Sequence, residues 1–175
     1  MSGGIDSAAC AHQLKSQGFS VEAIYIDYGQ AAARFESKSV SAIAEALDIP
    51  LKKINVAGVK GLGAGELVGR NAFLIFTALF AVRGKSNLLG LGLHAGTPYY
   101  DCSEAFVKAT SKLVSEHTDG RVSVVTPFIT WTKKEIYDYF LSHKLPIGLT
   151  YSCETGTQPV CGVCASCRDR KALGC

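Results

Sequence analysis

The chain has 175 residues, a formal net charge of +3, 47% hydrophobic residues and 19% charged residues. This balance describes one soluble domain with a core and excludes a disordered chain, while so small a charge argues against a nucleic-acid partner. No apolar run is long enough to span a bilayer and no secretion signal opens the sequence, so we predict a cytoplasmic protein with small anionic partners.

Helices and short apolar strands alternate along the sequence. The predicted elements are, in chain order, a helix at 6–17, a strand at 21–26, a helix at 34–47, a strand at 51–56, an apolar helix at 72–82, a strand at 88–93, a helix at 102–116, a strand at 122–125 and a helix at 133–141. The apolar run at 72–82 predicts a buried helix. The alternation indicates an α/β fold, in which a parallel sheet carries helices on both faces.

The opening string Ser2-Gly3-Gly4-Ile5-Asp6-Ser7 predicts a phosphate-binding loop. Adjacent glycines let backbone N–H groups approach an anion, serine hydroxyls add donors, and the following helix points its positive end at the same place. The string is neither a Walker A motif nor GxGxxG, and it resembles the loop of the ATP pyrophosphatases, which cleave ATP between the α- and β-phosphates. The alternative is an ordinary Ser/Gly turn in which Asp6 caps a helix.

A phosphate loop of this kind follows a strand, but this sequence starts at Met1 with no strand before the loop. We therefore expect a trimmed reading frame, an upstream fused segment or a strand supplied from elsewhere. Ligands of open α/β sheets bind beyond the carboxyl ends of the strands. The polar loops after the predicted strands are therefore candidate site segments, namely Asp27-Tyr28-Gly29-Gln30, His94-Ala95-Gly96-Thr97 and Thr126-Pro127-Phe128.

Four of the seven cysteines lie close together near the C-terminus, at Cys153, Cys161, Cys164 and Cys167. Their C-x7-C-x2-C-x2-C spacing suits a tetrahedral Zn²⁺ ion, and a closed shell of four thiolates leaves no water to activate, so the site is predicted to be structural. An iron–sulfur cluster is the alternative, although the next cysteine of the ferredoxin pattern is absent. We divide the chain into an ATP-binding α/β domain at 1–150, with its first strand missing, and a zinc-binding tail at 151–175.

Two other cysteines are predicted to pack rather than to react. Cys10 falls on the apolar side of the first helix, where a small buried residue is expected. Cys102 follows Asp101 at the start of a helix, and a nucleophilic role is the alternative to packing there.

Several motifs together resemble the 7-cyano-7-deazaguanine synthases, enzymes of queuosine precursor biosynthesis. They extend over nearly the whole chain: the phosphate loop, Asp27-Tyr28-Gly29-Gln30, Gly69-Arg70-Asn71, His94-Ala95-Gly96, Tyr100-Asp101-Cys102, Thr132-Lys133-Lys134-Glu135-Ile136, Tyr151-Ser152-Cys153 and the cysteine run that ends at Cys167. The resemblance implies a PP-loop domain of the Rossmann-like, adenine nucleotide alpha-hydrolase-like class and a homodimer. It also implies ATP-dependent conversion of 7-carboxy-7-deazaguanine and ammonia into the nitrile, through an adenylated acid and an amide.

The resemblance further implies roles for individual residues. Those that would cradle the phosphates of ATP, with Mg²⁺ bridging them, are Ser2, Gly3, Gly4, Asp6 and Ser7. Those that would meet the rest of the nucleotide are Asp27 and Gln30. Asp6, Ser7 and Lys133 would act in catalysis, with Lys133 stabilising charge on the departing pyrophosphate. The substrate-binding residues would be Arg70, Asn71, His94 and Asp101.

Two of these roles have simpler alternatives. Arg70 would hold the substrate carboxylate, or it is only a cation at the start of a helix. Asp101 would accept from a guanine-like edge, or it is only a helix N-cap.

The chain departs from the family pattern around the substrate. Ala31-Ala32-Ala33 stands where the family commonly has Arg-His, the segment between Val56 and Gly69 is shorter, and Thr97-Pro98 replaces an expected acid. A first alternative function is therefore a phage-encoded or defence-associated ligase that adenylates a deazaguanine acid, joins it to another amine and stops at the amide. A second is a non-catalytic zinc module that binds nucleotide or RNA.

Overall fold

The computed structural model describes residues 1–58, 62–83, 85–94 and 96–175. Within these ranges the helices are α1 (Ile5–Ser16), α2 (Ala33–Ala46), α3 (Arg70–Val82), α4 (Glu104–His117), α5 (Lys133–Ser142) and α6 (Ala165–Leu173). The strands are β1 (Ala23–Asp27), β2 (Leu51–Asn55), β3 (Leu88–Gly90) and β4 (Ser123–Val125), and 3₁₀ turns occupy Tyr100–Cys102 and Ile147–Leu149. Part of the shortened segment, at 59–61, and Ala95 of the His94-Ala95-Gly96 motif lie outside the described residues.

The predicted helix starts follow local capping chemistry. Helix α5 begins after Thr132, whose hydroxyl accepts from the Glu135 backbone N–H while the Glu135 carboxylate accepts from the Thr132 N–H, which is a capping box. Helix α4 begins after Ser103, whose hydroxyl accepts from the Phe106 N–H at 3.1 Å. It therefore starts two residues later than predicted, because Cys102 belongs to the preceding 3₁₀ turn.

The strands are parallel, but they form two separate pairs among the described residues. β1 pairs with β2, with Ala23 opposite Leu51, and β3 pairs with β4, with Leu88 opposite Ser123. The α/β class with parallel strands is confirmed, and within the described ranges the strands are hydrogen-bonded as two two-stranded sheets rather than as one. The start of the chain lies beside the first pair, because the Met1 ammonium donates to the carbonyl of Ile24.

Two hydrophobic cores stabilise the part of the chain that the structure describes. The first joins α1, α2 and α5, and its fully buried side chains include Ile43, Phe128, Ile136 and Phe140. The second joins α3, α4 and the β3–β4 pair around Ile75, Phe106, Val114 and Val122. A cavity of about 380 Å³ lies between the end of α1 and the β3–β4 pair. The first core thus supports α1, which begins at the phosphate loop, and the second core supports α3, which begins at Arg70.

The prediction of a buried helix at 72–82 is wrong for this chain. Of the residues of α3, Asn71 and Ile75 are buried, while Phe80 is 84% exposed and Phe73 is 36% exposed. The run is apolar on all sides, so its composition does not say which face packs, and the second core covers only one face. None of the described helices is long and apolar enough to cross a membrane.

Gly92 should be intolerant of a side chain. A Cβ there would lie 2.5 Å from the backbone carbonyl oxygen of Asp6, and backbone atoms at the start of α1 cannot move aside without shifting the phosphate loop. We expect Gly92→Ala to lower the free energy of unfolding by about 1–3 kcal/mol, measured by urea denaturation.

Gly90→Ala is the matched control, because the one close contact of a Cβ there is the terminal Cδ1 of Leu14, at 2.6 Å, and the Cys10 and Val125 side chains lie at ordinary contact distances of 3.7 and 3.9 Å. A flexible side chain can rotate away, so the loss of stability should be smaller than at Gly92. Equal losses at the two positions would contradict the proposed backbone contact.

Candidate active site and cysteine cluster

The phosphate loop is a tight turn at the start of α1. Gly3 has φ of +83°, and a Cβ there would lie 2.9 Å from the Cβ of Ser39, so both the conformation and the space require glycine. The hydroxyl of Ser7 accepts from the backbone N–H of Ser2 at 3.1 Å and donates to the carbonyl of Gly4 at 3.2 Å. The loop is thus preformed, with backbone N–H groups and the positive end of α1 at one place, as an anion requires.

Asp6 and Lys133 form an ion pair beside this loop. The Nζ of Lys133 lies 2.5 Å from Oδ2 of Asp6, and their side chains are only 26% and 23% exposed. Nε2 of His94 lies 3.9 Å from the same carboxylate oxygen. The structure therefore brings His94 to the phosphate loop.

The second carboxylate oxygen of Asp6 fits a cation. Oδ1 is buried and makes no hydrogen bond within the described part of the chain. A buried carboxylate oxygen without a donor is costly, and an oxygen-seeking ion such as Mg²⁺ would satisfy it. Asp6 is thus the residue that would hold Mg²⁺ near the phosphates.

The loop after β1 is stiffened from within. Oδ1 of Asp27 accepts from the N–H of Gly29 at 3.0 Å, and Oε1 of Gln30 accepts from the N–H of Tyr28 at 2.9 Å. The Gln30 amide nitrogen donates to the carboxylate of Glu36 at 2.7 Å. Both ends of the Gln30 side chain therefore bond to protein groups and hold the loop in place, so the side chain does not point at a ligand.

Glu36 is a half-buried carboxylate beside the loop after β1 whose place the sequence did not predict. Burial raises the pKa of its carboxyl group, and the charges of Arg70 and of the Met1 ammonium oppose that rise. It also accepts from the hydroxyl of Tyr25 at 3.4 Å. The sequence does carry a signal that Glu36 faces inward, because it lies at helical spacing before Ser39, Val40 and Ile43, which are the buried residues of α2.

Arg70, Asn71 and Asp101 come together at the start of α3. The N–H of Asn71 donates to Oδ2 of Asp101 at 3.1 Å, and the Asn71 amide donates to the Asp101 carbonyl at 2.9 Å. Asp101 therefore caps α3, while the cap of α4 is Ser103. Arg70 and Asp101 also line a small crevice together with Gly65, Glu66, Leu67 and Tyr99.

Arg70 occupies an unusual place for a cation. It is the first residue of α3, where the helix dipole is positive and disfavours another positive charge. Burial raises the pKa of both Tyr28 and Glu36, and the positive charge of the Arg70 guanidinium opposes both rises. A cation held at a positive helix end creates a strong preference for a bound anion.

Cys102 packs against this cluster. Its thiol lies 3.6 Å from the Asn71 amide nitrogen and 3.8 Å from Oδ1 of Asp101. Burial raises the pKa of the thiol, which leaves it protonated and unreactive near neutral pH. Cys10, at 3% exposure, is a core residue of α1 as predicted.

The four C-terminal cysteines converge as their spacing predicts. The sulfur atoms of Cys153, Cys161, Cys164 and Cys167 all lie within 4.8 Å of one another. Ligands at a Zn–S distance of about 2.3 Å in a tetrahedron require a similar separation, so the cluster is compatible with structural zinc. Backbone N–H groups of Cys161 and Cys164 donate to the sulfurs of Cys153 and Cys161, each at 3.4 Å.

These thiols differ in their readiness to ionise. Burial opposes ionisation of Cys153, but hydrogen bonds from Cys161 and Thr155 lower its pKa to about 4. Burial raises the pKa of Cys167 to about 12. An ion that binds all four sulfurs must therefore displace a proton from Cys167.

The tail that carries the cysteines also contacts the phosphate loop. The N–H of Tyr151 donates to the carbonyl of Gly3 at 2.9 Å. Arg170, on α6, donates to the hydroxyl of Ser152 at 3.2 Å, and Ser152 lies close to Gly4. Ser152 belongs to the Tyr151-Ser152-Cys153 motif, yet its place beside the loop was not predicted, because the tail has no periodic pattern that fixes its position.

Comparison with known proteins agrees with this arrangement. The family model described as "Queuosine biosynthesis protein QueC" matches residues 1–72 and 67–173. The chain belongs to the QueC family. The resemblance found in the sequence is therefore confirmed, and the QueC match includes both the phosphate loop and the four cysteines.

The QueC relatives are similar over nearly their whole length. A protein named "7-cyano-7-deazaguanine synthase" from Persephonella marina is 31% identical over 97% of this chain and 88% of its own. One of the same name from Methanothermobacter thermautotrophicus is 31% identical over 98% of this chain and 90% of its own. A third, from Aliarcobacter butzleri, is 28% identical over 97% and 86%.

Metal binding by this QueC-family cluster should tighten as the pH rises. Only thiolates bind the ion, and Cys167, with a pKa of about 12, is a thiol near neutral pH. The affinity for Zn²⁺ should therefore rise about tenfold per pH unit for each proton released, measured by competition with a chromophoric chelator between about pH 6 and pH 8.

The matched control is the exposed Cys175, which lies outside the cluster. Cys175→Ser should keep the same affinity and the same slope, whereas Cys164→Ser should lower the affinity. An affinity that does not change with pH would contradict four-thiolate coordination.

Proposed function

We propose that this protein converts 7-carboxy-7-deazaguanine and ammonia into 7-cyano-7-deazaguanine with ATP, Mg²⁺ and a structural Zn²⁺. The observation that carries the proposal is the Lys133–Asp6 ion pair at the preformed loop that starts α1. The names of the relatives, which are synthases of this nitrile, support the choice of product.

The proposed reaction uses one phosphate site twice. A carboxylate is a poor electrophile, so its oxygen first attacks the α-phosphate of ATP, which forms an acyl adenylate and releases pyrophosphate. Ammonia then displaces AMP and loses a proton, which leaves the amide. The amide oxygen attacks a second ATP, and loss of AMP and two protons from the adenylated amide gives the nitrile.

Each side chain near the loop has a task in this scheme. Lys133 neutralises the charge that develops on pyrophosphate, and the loop N–H groups with Ser2 and Ser7 hold the phosphates. Asp6 would hold Mg²⁺, which supplies charge neutralisation between the phosphate oxygens when bound. Asp27 and Gln30 contribute to the nucleotide site through the loop that their side chains fix.

Arg70 and Asp101 are proposed to bind the acid at the mouth of their crevice, whose volume of about 10 Å³ is too small to hold the ring itself. The guanidinium of Arg70 suits a bidentate carboxylate, and Asp101 accepts from the N–H groups of a guanine-like ring. Asn71 positions both residues, since its amide donates to the Asp101 carbonyl and its carbonyl lies 3.4 Å from Nε of Arg70. His94 is proposed to act at the phosphate end of the site, 3.9 Å from Asp6.

A second candidate function is the amide-forming ligase. The tail packs tightly over Ala31, so that a Cβ on Gly156 would lie 2.0 Å from the Ala31 carbonyl oxygen. The Ala31-Ala32-Ala33 segment therefore lies in backbone contact with the tail and carries no polar side chain where the family pattern has them, which favours an altered second half-reaction.

Incubation with 7-carboxy-7-deazaguanine, Mg-ATP and ammonium tests the proposal, with products identified by mass spectrometry and pyrophosphate measured in parallel. We expect the nitrile with two pyrophosphates for each acid consumed. An amide with one pyrophosphate would support the ligase instead. No pyrophosphate, with salt-dependent RNA binding, would support the non-catalytic module and contradict the proposal.

Adjacent lysines on α5 provide a matched pair of variants. Lys133→Ala removes the cation beside Asp6, so pyrophosphate release should fall about 100-fold or more. Lys134→Ala removes a similar ion pair with Asp138, at 2.7 Å, whose side chains are mostly exposed, and the rate should stay within about twofold. Equal effects of the two substitutions would contradict the assigned role of Lys133.

We also propose that the protein is a homodimer that covers the exposed face of α3. Phe80, Phe73 and the neighbouring Val68 expose apolar surface along and beside this helix. Such a patch on the outside of a helix is typical of a subunit interface. A second copy is the proposed occupant, since the resemblance implies a homodimer. The cytoplasm is the proposed location, because it keeps the cysteine cluster reduced.

The dimer should dissociate when a charge is placed at Phe80, which is 84% exposed. Wild-type protein should sediment at twice the chain mass of 18.6 kDa, and Phe80→Glu should sediment at the chain mass. Leu141→Glu, on α5, is the control, since Leu141 is 47% exposed outside this face and its substitution should leave the dimer intact. A monomeric wild type would contradict the proposal.

A further inference from the structure

Glu154 connects two distant parts of the chain. It follows Cys153 directly, and its carboxylate accepts hydrogen bonds from both sides. Oε1 accepts from the N–H and the hydroxyl of Ser166, at 2.9 and 2.8 Å, and Oε2 accepts from the N–H of Gly65 at 3.0 Å. The same side chain thus holds the cysteine tail and the segment before α3.

The tail side of this connection is firmly placed. Ser166 is the second residue of α6, and the helix begins between two of the clustered cysteines, with Cys164 as its N-cap and Cys167 in its first turn. A carboxylate that accepts from an N–H at this position also meets the positive end of the helix dipole. The cysteine cluster therefore fixes the direction in which Glu154 points.

The other side of the connection is the rim of the acid crevice. Gly65, Glu66 and Leu67 line that crevice together with Arg70 and Asp101. A Cβ on Gly65 would meet nothing within 4 Å, and the residues from 63 to 66 are exposed. The rim therefore has little packing of its own. Its described ties are the bridge of Leu62 to Gln30, the Gly65–Glu154 bond, and the bonds from the N–H groups of Arg70 and Phe73 to the carbonyls of Leu67 and Gly69.

We propose that Glu154 is a positioning residue for the acid site, which anchors the 62–69 rim to the cysteine tail. It touches neither ATP nor the reacting atoms. Instead it holds the rim beside Arg70 and Asp101, so that both side chains face the acid at the mouth of the crevice. The inference rests on the proposed function only for what binds in the crevice, since the anchor itself is a contact between two parts of the chain.

Loss of the anchor should change the KM for the acid but not the KM for ATP. Glu154→Ala frees the Gly65 N–H, so the KM for 7-carboxy-7-deazaguanine should rise about tenfold, as expected for loss of a hydrogen bond to a charged group. The phosphate loop is held by contacts that do not involve Glu154, so kcat and the KM for ATP should change by less than about twofold. A merely structural loss would instead change both KM values or the metal content.

Hydrogen exchange tests the anchor without any activity. In the full-length, Zn²⁺-loaded protein, Glu154→Ala should speed exchange in the 62–69 segment about tenfold, while exchange in α6 should rise less because the metal still holds its cysteines. Metal content, measured by mass spectrometry, should equal that of the wild type. Unchanged exchange in 62–69, or loss of the metal, would overturn the proposal.

Two further variants keep the test decisive. Ser166→Ala removes only the hydroxyl contact to Oε1 and leaves the Gly65 bond, so exchange and both KM values should stay close to those of the wild type. Glu154→Gln has the same shape but one acceptor oxygen in place of two, so its effects should fall between those of wild type and alanine. Equal effects of Ser166→Ala and Glu154→Ala would overturn the proposal.

Failure of the proposed function would look different. In that case the acid would not be consumed by any variant, while the 62–69 segment would still exchange faster in Glu154→Ala. If the acid is consumed and the KM for it does not respond to Glu154→Ala, the positioning role is wrong and the proposed function stands.

Discussion

The ion pair between Lys133 and Asp6 is the contact on which the rest of the site depends. It joins the first turn of α5 to the first turn of α1, which are 127 residues apart in sequence, at a distance of 2.5 Å. The capping box of Thr132 and Glu135 fixes where α5 begins, and the glycines of the loop fix where α1 begins. A largely shielded pair of this kind persists because both charges have a partner. In the proposed reaction Lys133 would pair with phosphate, and Asp6 would hold Mg²⁺.

Around this pair, the site is assembled from segments that have little stability alone. The loop after β1 is stiffened by Gln30 and Glu36, and α3 is capped by Asp101 rather than by its own sequence. The cysteine tail contacts both ends of the site, at the phosphate loop through Tyr151 and at the acid crevice through Glu154. A structural metal in the cysteine cluster can therefore influence substrate binding from a distance. It does so by holding in place the residues next to its cysteine ligands, such as Glu154.

Local signals in the sequence predicted much of this arrangement. The Thr132 cap and the spacing of the four cysteines each depend on residues close together in the chain, and the structure confirms the helix start and the convergence of the four sulfurs. The exposure of α3 was not, because a run that is apolar on every side carries no periodicity that marks a packed face. The Glu154–Gly65 contact spans 89 residues, and no local pattern indicates such a pairing. Gln30 was placed in the correct loop, but the half-buried Glu36 that orients it comes from the next helix.

Transfer of ¹⁸O from the acid to AMP tests the central claim most directly. With both carboxylate oxygens of 7-carboxy-7-deazaguanine labelled, adenylation at the phosphate loop followed by nitrile formation predicts two AMP molecules for each nitrile. Each AMP should carry one ¹⁸O, because each carboxylate oxygen leaves attached to a phosphate. AMP without ¹⁸O, or label recovered in pyrophosphate or phosphate, would contradict adenylation of the substrate at this site.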